Sequence, residues 1–185
     1  MGHADGHPVR LVGGRLVLDF LNTADWTAGG AVARESLVAL DDARAWMAAC
    51  GLPPLALPPS AAELRSFRDA LRPLFLGSVA DGDGVGAIAA ALAEERAAPL
   101  ARGPTGRVAV SPAASLRRLL AIAAVALLAD PREAGRVKLC PGRDCGWLFL
   151  DETRGGRRRW CSMATCGNRE KARRSYARTA RAAAG

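Results

Sequence analysis

Histidine is nearly missing from this chain of 185 residues: His3 and His7 are the only two. Both fall in the opening MGHADGHP, which reads as a loose terminus. Histidine-based triads and most hydrolytic metal sites are thereby removed from everything downstream. Aromatic residues are scarce, at 5%, and long β-branched runs are missing, which leans an Ala- and Arg-rich chain towards helix. The longest apolar run, residues 119–129, has 11 members; a membrane span needs about 20, so this segment reads as a buried helix. No N-terminal stretch combines a basic start, an apolar run and a small-residue cleavage site, which speaks against a secretory signal and for a cytoplasmic protein. A phosphate-binding loop is also missing, since residues 81–86 (DGDGVG) carry no lysine, and they lack the closing Glu of a calcium loop. The chain reads as a non-enzyme.

Half of the residues are apolar, so the chain is not disordered. The net charge of +8 is unevenly placed. Residues 1–135 carry 13 basic and 14 acidic side chains, whereas residues 136–185 carry 13 basic and only 4 acidic. All the excess positive charge sits in the last 50 residues, which points to a polyanionic partner for them.

Residues 9–20 hold two short apolar runs around Gly13 and Gly14, the pattern of a β-hairpin with a Gly-Gly turn. Residues 25–30 read as a loop. Apolar positions 37, 40, 43, 46, 47 and 50 recur at helical spacing. A second helix over residues 61–76 opens with Ser60 and Glu63 as a capping box and meets Pro73 near its end. A third is expected over residues 85–98, ended by the Pro99 to Pro104 break, and a fourth, the core helix, over residues 113–129 after Ser111 and Pro112. Residues 107–110 read as a short strand. Asp19 and Asn22 lie together at the end of the first apolar run. They either satisfy local backbone donors or line a small pocket with Arg34 or Trp46.

The sharpest signal is Cys140-x4-Cys145, fifteen residues, then Cys161-x4-Cys166. Two local cysteine pairs suit tetrahedral coordination of one structural Zn2+. Two disulfides or four free thiols are the alternatives, and the lack of a secretion signal favours metal. Residues 137–139 and 146–150 read as a hairpin, with Cys161 and Cys166 at the start of a long helix. A 50-residue unit with so few apolar side chains needs such a staple. Four thiolates leave no open position for a catalytic water. Cys50 reads as a buried thiol rather than a fifth ligand.

Arg154, Arg157, Arg158 and Arg159 precede Cys161. Asn168, Arg169, Lys171, Arg173, Arg174, Arg178 and Arg181 follow it on the helix. Arg exceeds Lys by 11 to 2 among residues 136–185, which favours bidentate recognition of phosphate or guanine. The nucleic-acid candidates are Arg157, Arg158, Arg159, Asn168, Arg169, Lys171, Arg173, Arg174 and Arg178.

The tetrapeptide Cys166-Gly167-Asn168-Arg169, both cysteine pairs, Trp147, Phe149, the Arg run and Trp160 occur in the order found in the CGNR zinc fingers. Residues 137–180 resemble that finger along its full length. Residues 14–23 (GRLVLDFLNT) resemble the opening motif of the ABATE domain that accompanies it. The resemblance implies a bacterial, stress-induced transcription regulator whose finger binds double-stranded DNA, with the four cysteines as ligands. Asn168 and Arg169 carry over as signature positions without an assigned role; by their chemistry Asn168 is expected to cap the helix or orient a cysteine and Arg169 to reach a phosphate. The expected architecture is α+β and mainly helical. It has an N-terminal helical domain (1–135) with a short hairpin and a C-terminal β-hairpin and helix finger (136–185). A sensing role towards a small-molecule effector and a dimerising role as a homodimer both fit the first part. An adaptor that binds RNA or protein through the finger is the alternative.

Overall fold

The computed structural model describes residues 9–27, 29–77, 82–94, 100–102, 107–111, 114–143 and 145–183. The terminal segment with His3 and His7, the end of the third expected helix and the Ser111-Pro112 start lie wholly or partly outside them, as does the Arg181 side chain.

Helix, not strand, follows the first glycine pair. Residues Leu16–Leu21 form α1, in place of the expected hairpin. Val17, Leu18, Phe20 and Leu21 are all buried. That i, i+1, i+3, i+4 set lies on one side of a helix, whereas a strand would turn half of it outward. The turn at Gly13 and Gly14 is tied to α1 because Gly13 N–H donates to the Asp19 carboxylate at 2.7 Å.

The hairpin lies just beyond, where a loop was expected. Strands β1 (Ala24–Trp26) and β2 (Val32–Glu35) pair antiparallel. Asp25 stands opposite Arg34 and the two form an ion pair at 2.9 Å across the ladder. Helix α2 (Leu40–Ala49) is capped by Asp42, which accepts from the backbone N–H of Val38 and Ala39. Helix α3 (Ala61–Phe75) starts at Ser60 with the expected Glu63 exchange and ends two residues past Pro73. Helix α4 (Gly82–Leu92) follows, then the antiparallel pair β3 (Leu100–Arg102) and β4 (Val108–Val110). Helix α5 (Leu116–Ala129) starts at Ser115 rather than Ser111, because the Ser115 hydroxyl accepts from Arg118 N–H. The short α6 (Pro131–Ala134) is capped by Asp130.

Strands β5 (Val137–Leu139) and β6 (Leu148–Leu150) form the last hairpin, with Val137 opposite Leu150. One turn of π-helix, Met163–Gly167, leads into α7 (Asn168–Ala183). The fold is α+β, as expected. Helix α5 buries Leu116, Leu120, Ala121, Ala124 and Leu127 at the centre of the main core. Leu148 and Leu150 of β6 reach into that same core. In return, Ala24 and Trp26 of β1 join the smaller cluster around the four cysteines.

Candidate metal centre and the surfaces around it

Cys140 directly follows β5, Cys145 lies in the turn before Gly146, Cys161 closes the basic loop and Cys166 lies in the π-helical turn. Their four Sγ atoms lie within 4.8 Å of one another and all four residues are buried. The Sγ atoms of Cys145 and Cys161 are 3.6 Å apart, and those of Cys161 and Cys166 are 3.7 Å apart. A tetrahedron with Zn–S bonds near 2.3 Å has edges of roughly 3.8 Å. A disulfide would need about 2.05 Å. Thiolates that close together compete for protons. Hydrogen bonding from Cys145 and Cys161 pushes the Cys140 thiol down to about 2, while Cys140 pushes Cys145 up to about 12. Only a cation lets all four ionise together, and a soft, tetrahedral thiolate set selects zinc. The site holds one structural zinc, which supplies a cross-link between hairpin and helix.

The turn that carries the first pair is tight. A Cβ on Gly142 would stand 3.0 Å from Cys166 Sγ. Gly146 has φ +58°, and a Cβ there would meet the Trp26 Cβ at 2.5 Å. Position 146 therefore excludes every side chain and lets β1 approach the finger.

Asn22 and Trp147, both named from the sequence, make this contact together with Trp26, Arg68 and Arg72, which, like Asp151 in the basic loop, the sequence did not single out. The Asn22 amide donates to the Leu148 carbonyl and accepts from its N–H, both at 2.8 Å. Trp147 Nε1 donates to the Ala24 carbonyl at 3.0 Å. Trp26 stands between two guanidinium groups, Arg72 at 4.0 Å and Arg68 at 5.4 Å from its ring centre. Arg68 is fully buried and holds Glu35 in a bidentate pair, while Arg72 donates to the Gly146 carbonyl. Asp151 organises the basic loop. It accepts from Lys138 Nζ, from the N–H and hydroxyl of Thr153 and from Arg158 N–H. Burial works against its ionisation, but the Lys138 and Thr153 bonds outweigh that and hold the carboxyl well below the usual range.

The nucleic-acid candidates do not form one patch. Arg158 stands apart from the other candidates. Its guanidinium donates to the carbonyls of Leu150, Val12, Trp160 and Cys161 and stacks on Phe149 at 4.5 Å, so it faces inward. Arg157 is exposed on the loop. Arg159, Lys171, Arg174 and Arg178 border one groove of about 590 Å³ with Trp160 and Met163. Arg173 and Arg174 both donate to Glu170. Asn168 is exposed, with its amide 3.4 Å from the Ala164 carbonyl of the π-helical turn. Arg169 points away from the groove, to the border of two cavities beside Cys166. Asp19 and Asn22 border the larger of these, a cavity of about 530 Å³, with Arg34 and Trp46.

Among the described residues no helix is long and apolar enough to cross a membrane. A search of curated proteins finds none that matches the chain. Two family models do match. Residues 136–179 match the CGNR zinc finger. Residues 14–131, more than half of the chain, match ABATE, described as "Putative stress-induced transcription regulator". The chain belongs to the ABATE family and carries a CGNR zinc finger as its C-terminal part.

Proposed function

We propose that this chain regulates transcription by binding double-stranded DNA through the groove along α7, while its N-terminal part senses an effector. The observation that carries the reading is the convergence of Arg159, Lys171, Arg174 and Arg178 on one groove anchored by the zinc centre. Helix α7 has 16 residues, about 24 Å at the usual rise, and a helix fits the major groove of DNA. Glu170 on the same helix holds Arg173 and Arg174 in place. Cations set on a stapled helix lose less freedom on meeting phosphate than cations on a loose tail. Trp160, half-buried with Arg159 over its ring at 5.1 Å, offers a flat surface at the groove's edge.

A mobility-shift assay with the zinc-loaded chain tests this. Four phosphate contacts give a log–log salt slope of roughly −3.6 on duplex DNA. Changing Lys171, Arg174 and Arg178 to Gln lowers the magnitude of that slope and weakens binding at least tenfold. Arg157→Gln weakens it less. A duplex affinity that ignores salt and these changes defeats the reading. Preference for structured RNA over duplex DNA supports the adaptor alternative instead.

A further inference from the structure

Between α1, the β1–β2 hairpin and the zinc centre lies the cavity of about 530 Å³ that the DNA reading leaves unused. Its wall joins both halves of the chain: Asp19, Arg34 and Trp46 on one side, Cys145, Thr165 and Arg169 on the other. Two polar atoms of the wall residues, Trp46 Nε1 and Thr165 Oγ1, are buried without a hydrogen-bond partner among the described residues. Trp46 is 2% exposed. Buried donors of this kind are ordinarily paired, with protein, water or a ligand. Arg10 also borders the cavity and lies 4.6 Å over the Trp147 ring. Neither Arg10 nor Arg169 has a carboxylate partner among the described residues, whereas Arg34 is held by Asp25. Asp19 also lines the cavity, but its carboxylate already accepts from Gly13 N–H, and Asp25 is paired with Arg34, so the unused capacity that remains is that of donors and the two cations.

The part of the wall formed by Cys145, Cys161 and Cys166, beside Arg169, is different. Four thiolates outweigh one divalent ion, so the cysteine wall carries negative charge. An anion placed there is repelled, and one placed at the arginines is held. The occupant must keep its charge at one end.

We propose that this cavity binds a small organic anion, with its carboxylate or phosphate on Arg10 and Arg169 and its uncharged body against Trp46, Trp147 and the cysteine wall. Such a ligand touches the N-terminal core and the turn bearing Thr165 and Cys166, from which α7 starts. It deepens the sensing half of the proposed function, and it shifts DNA affinity only as far as it binds the DNA-competent arrangement better.

The test uses zinc-loaded protein without DNA, so that loss of the DNA reading leaves it intact. Benzoate and phenyl phosphate are the anionic probes, with benzamide, benzylammonium and inorganic phosphate as counterparts, read by tryptophan fluorescence and thermal shift. The expected result is saturable binding of benzoate or phenyl phosphate, at least tenfold tighter than any counterpart. It weakens at least tenfold in Arg10→Gln/Arg169→Gln and severalfold in the near-isosteric Thr165→Val. Equal binding of the neutral or cationic counterparts, equal binding of inorganic phosphate, or no binding of either anion overturns the proposal. If the double variant fails to fold, unchanged affinity in Thr165→Val overturns it alone.

Discussion

Asp19 shows how one buried carboxyl couples the fold to pH. Burial pushes its carboxyl up to about 6, against the N–H groups of Gly13 and Val12 and the charge of Arg158. Arg10, Arg34, Asp25 and Arg169 border the same cavity. Between the unfolded value of 3.8 and about 6 the folded chain keeps a proton that the unfolded chain has released. Stability from this group therefore falls as pH rises through that window. Asp19→Asn keeps an acceptor for Gly13 N–H and cannot ionise. Thermal melts from pH 4 to pH 7 should show the variant gaining on the native chain as pH rises, and parallel curves would contradict this. Asp19 and Asn22 were legible as a polar pair at the end of an apolar run. What Asn22 pairs with was not, because Leu148 is 126 positions away. Arg157, Arg158 and Arg159 are three identical letters in sequence. Only the surrounding carbonyls and the Phe149 ring turn the middle one inward. Asp151 gave no signal, since a single aspartate next to a turn is an ordinary loop residue until Lys138, Thr153 and Arg158 close on it.

Elements whose start and stop signals are local were readable. Helix α3 has its Ser60 and Glu63 pair and its late Pro73, and α5 ends at Asp130 and Pro131. The β5–β6 hairpin was readable from the Cys140 to Cys145 turn between two apolar runs. Helix α1 was not. Its six residues are short enough to match either period, and what decides is burial against α3, α5 and β6 on a helical face. Strands β1 and β2 were missed because only three and four residues pair, with a charged pair rather than apolar alternation across them. The contact of β6 with the N-terminal half rests on Asn22, which satisfies both backbone groups of Leu148. Asn22→Ala leaves two buried groups unpaired and should cost roughly 2–4 kcal/mol in a urea titration. A loss below about 0.5 kcal/mol would mean that water replaces the amide without penalty.

For the whole molecule, the cysteine spacing and the charge asymmetry carried most of the reading. The ABATE match ends at residue 131 and the finger match begins at residue 136. A 50-residue finger that needs a metal staple would be expected to unfold alone when the metal is removed. The shared core revises that expectation. Leu148 and Leu150 complete the core built on α1 and α5, while Trp26 is held by Arg72 and closes against Gly146. Metal loss frees the chain that holds β6 in place, so the N-terminal half loses stability with it. Apolar periodicity gave no sign of this, because it marks which face of an element is buried and not what that face packs against. In the proposed function, zinc held by Cys140, Cys145, Cys161 and Cys166 sets α7 for DNA. Zinc is returned stepwise to the reduced, metal-free chain, with duplex DNA binding followed at each addition. Binding should be lost without metal and restored in full at one zinc per chain. Undiminished binding by the metal-free protein, or restoration unrelated to one equivalent, would contradict that role for zinc.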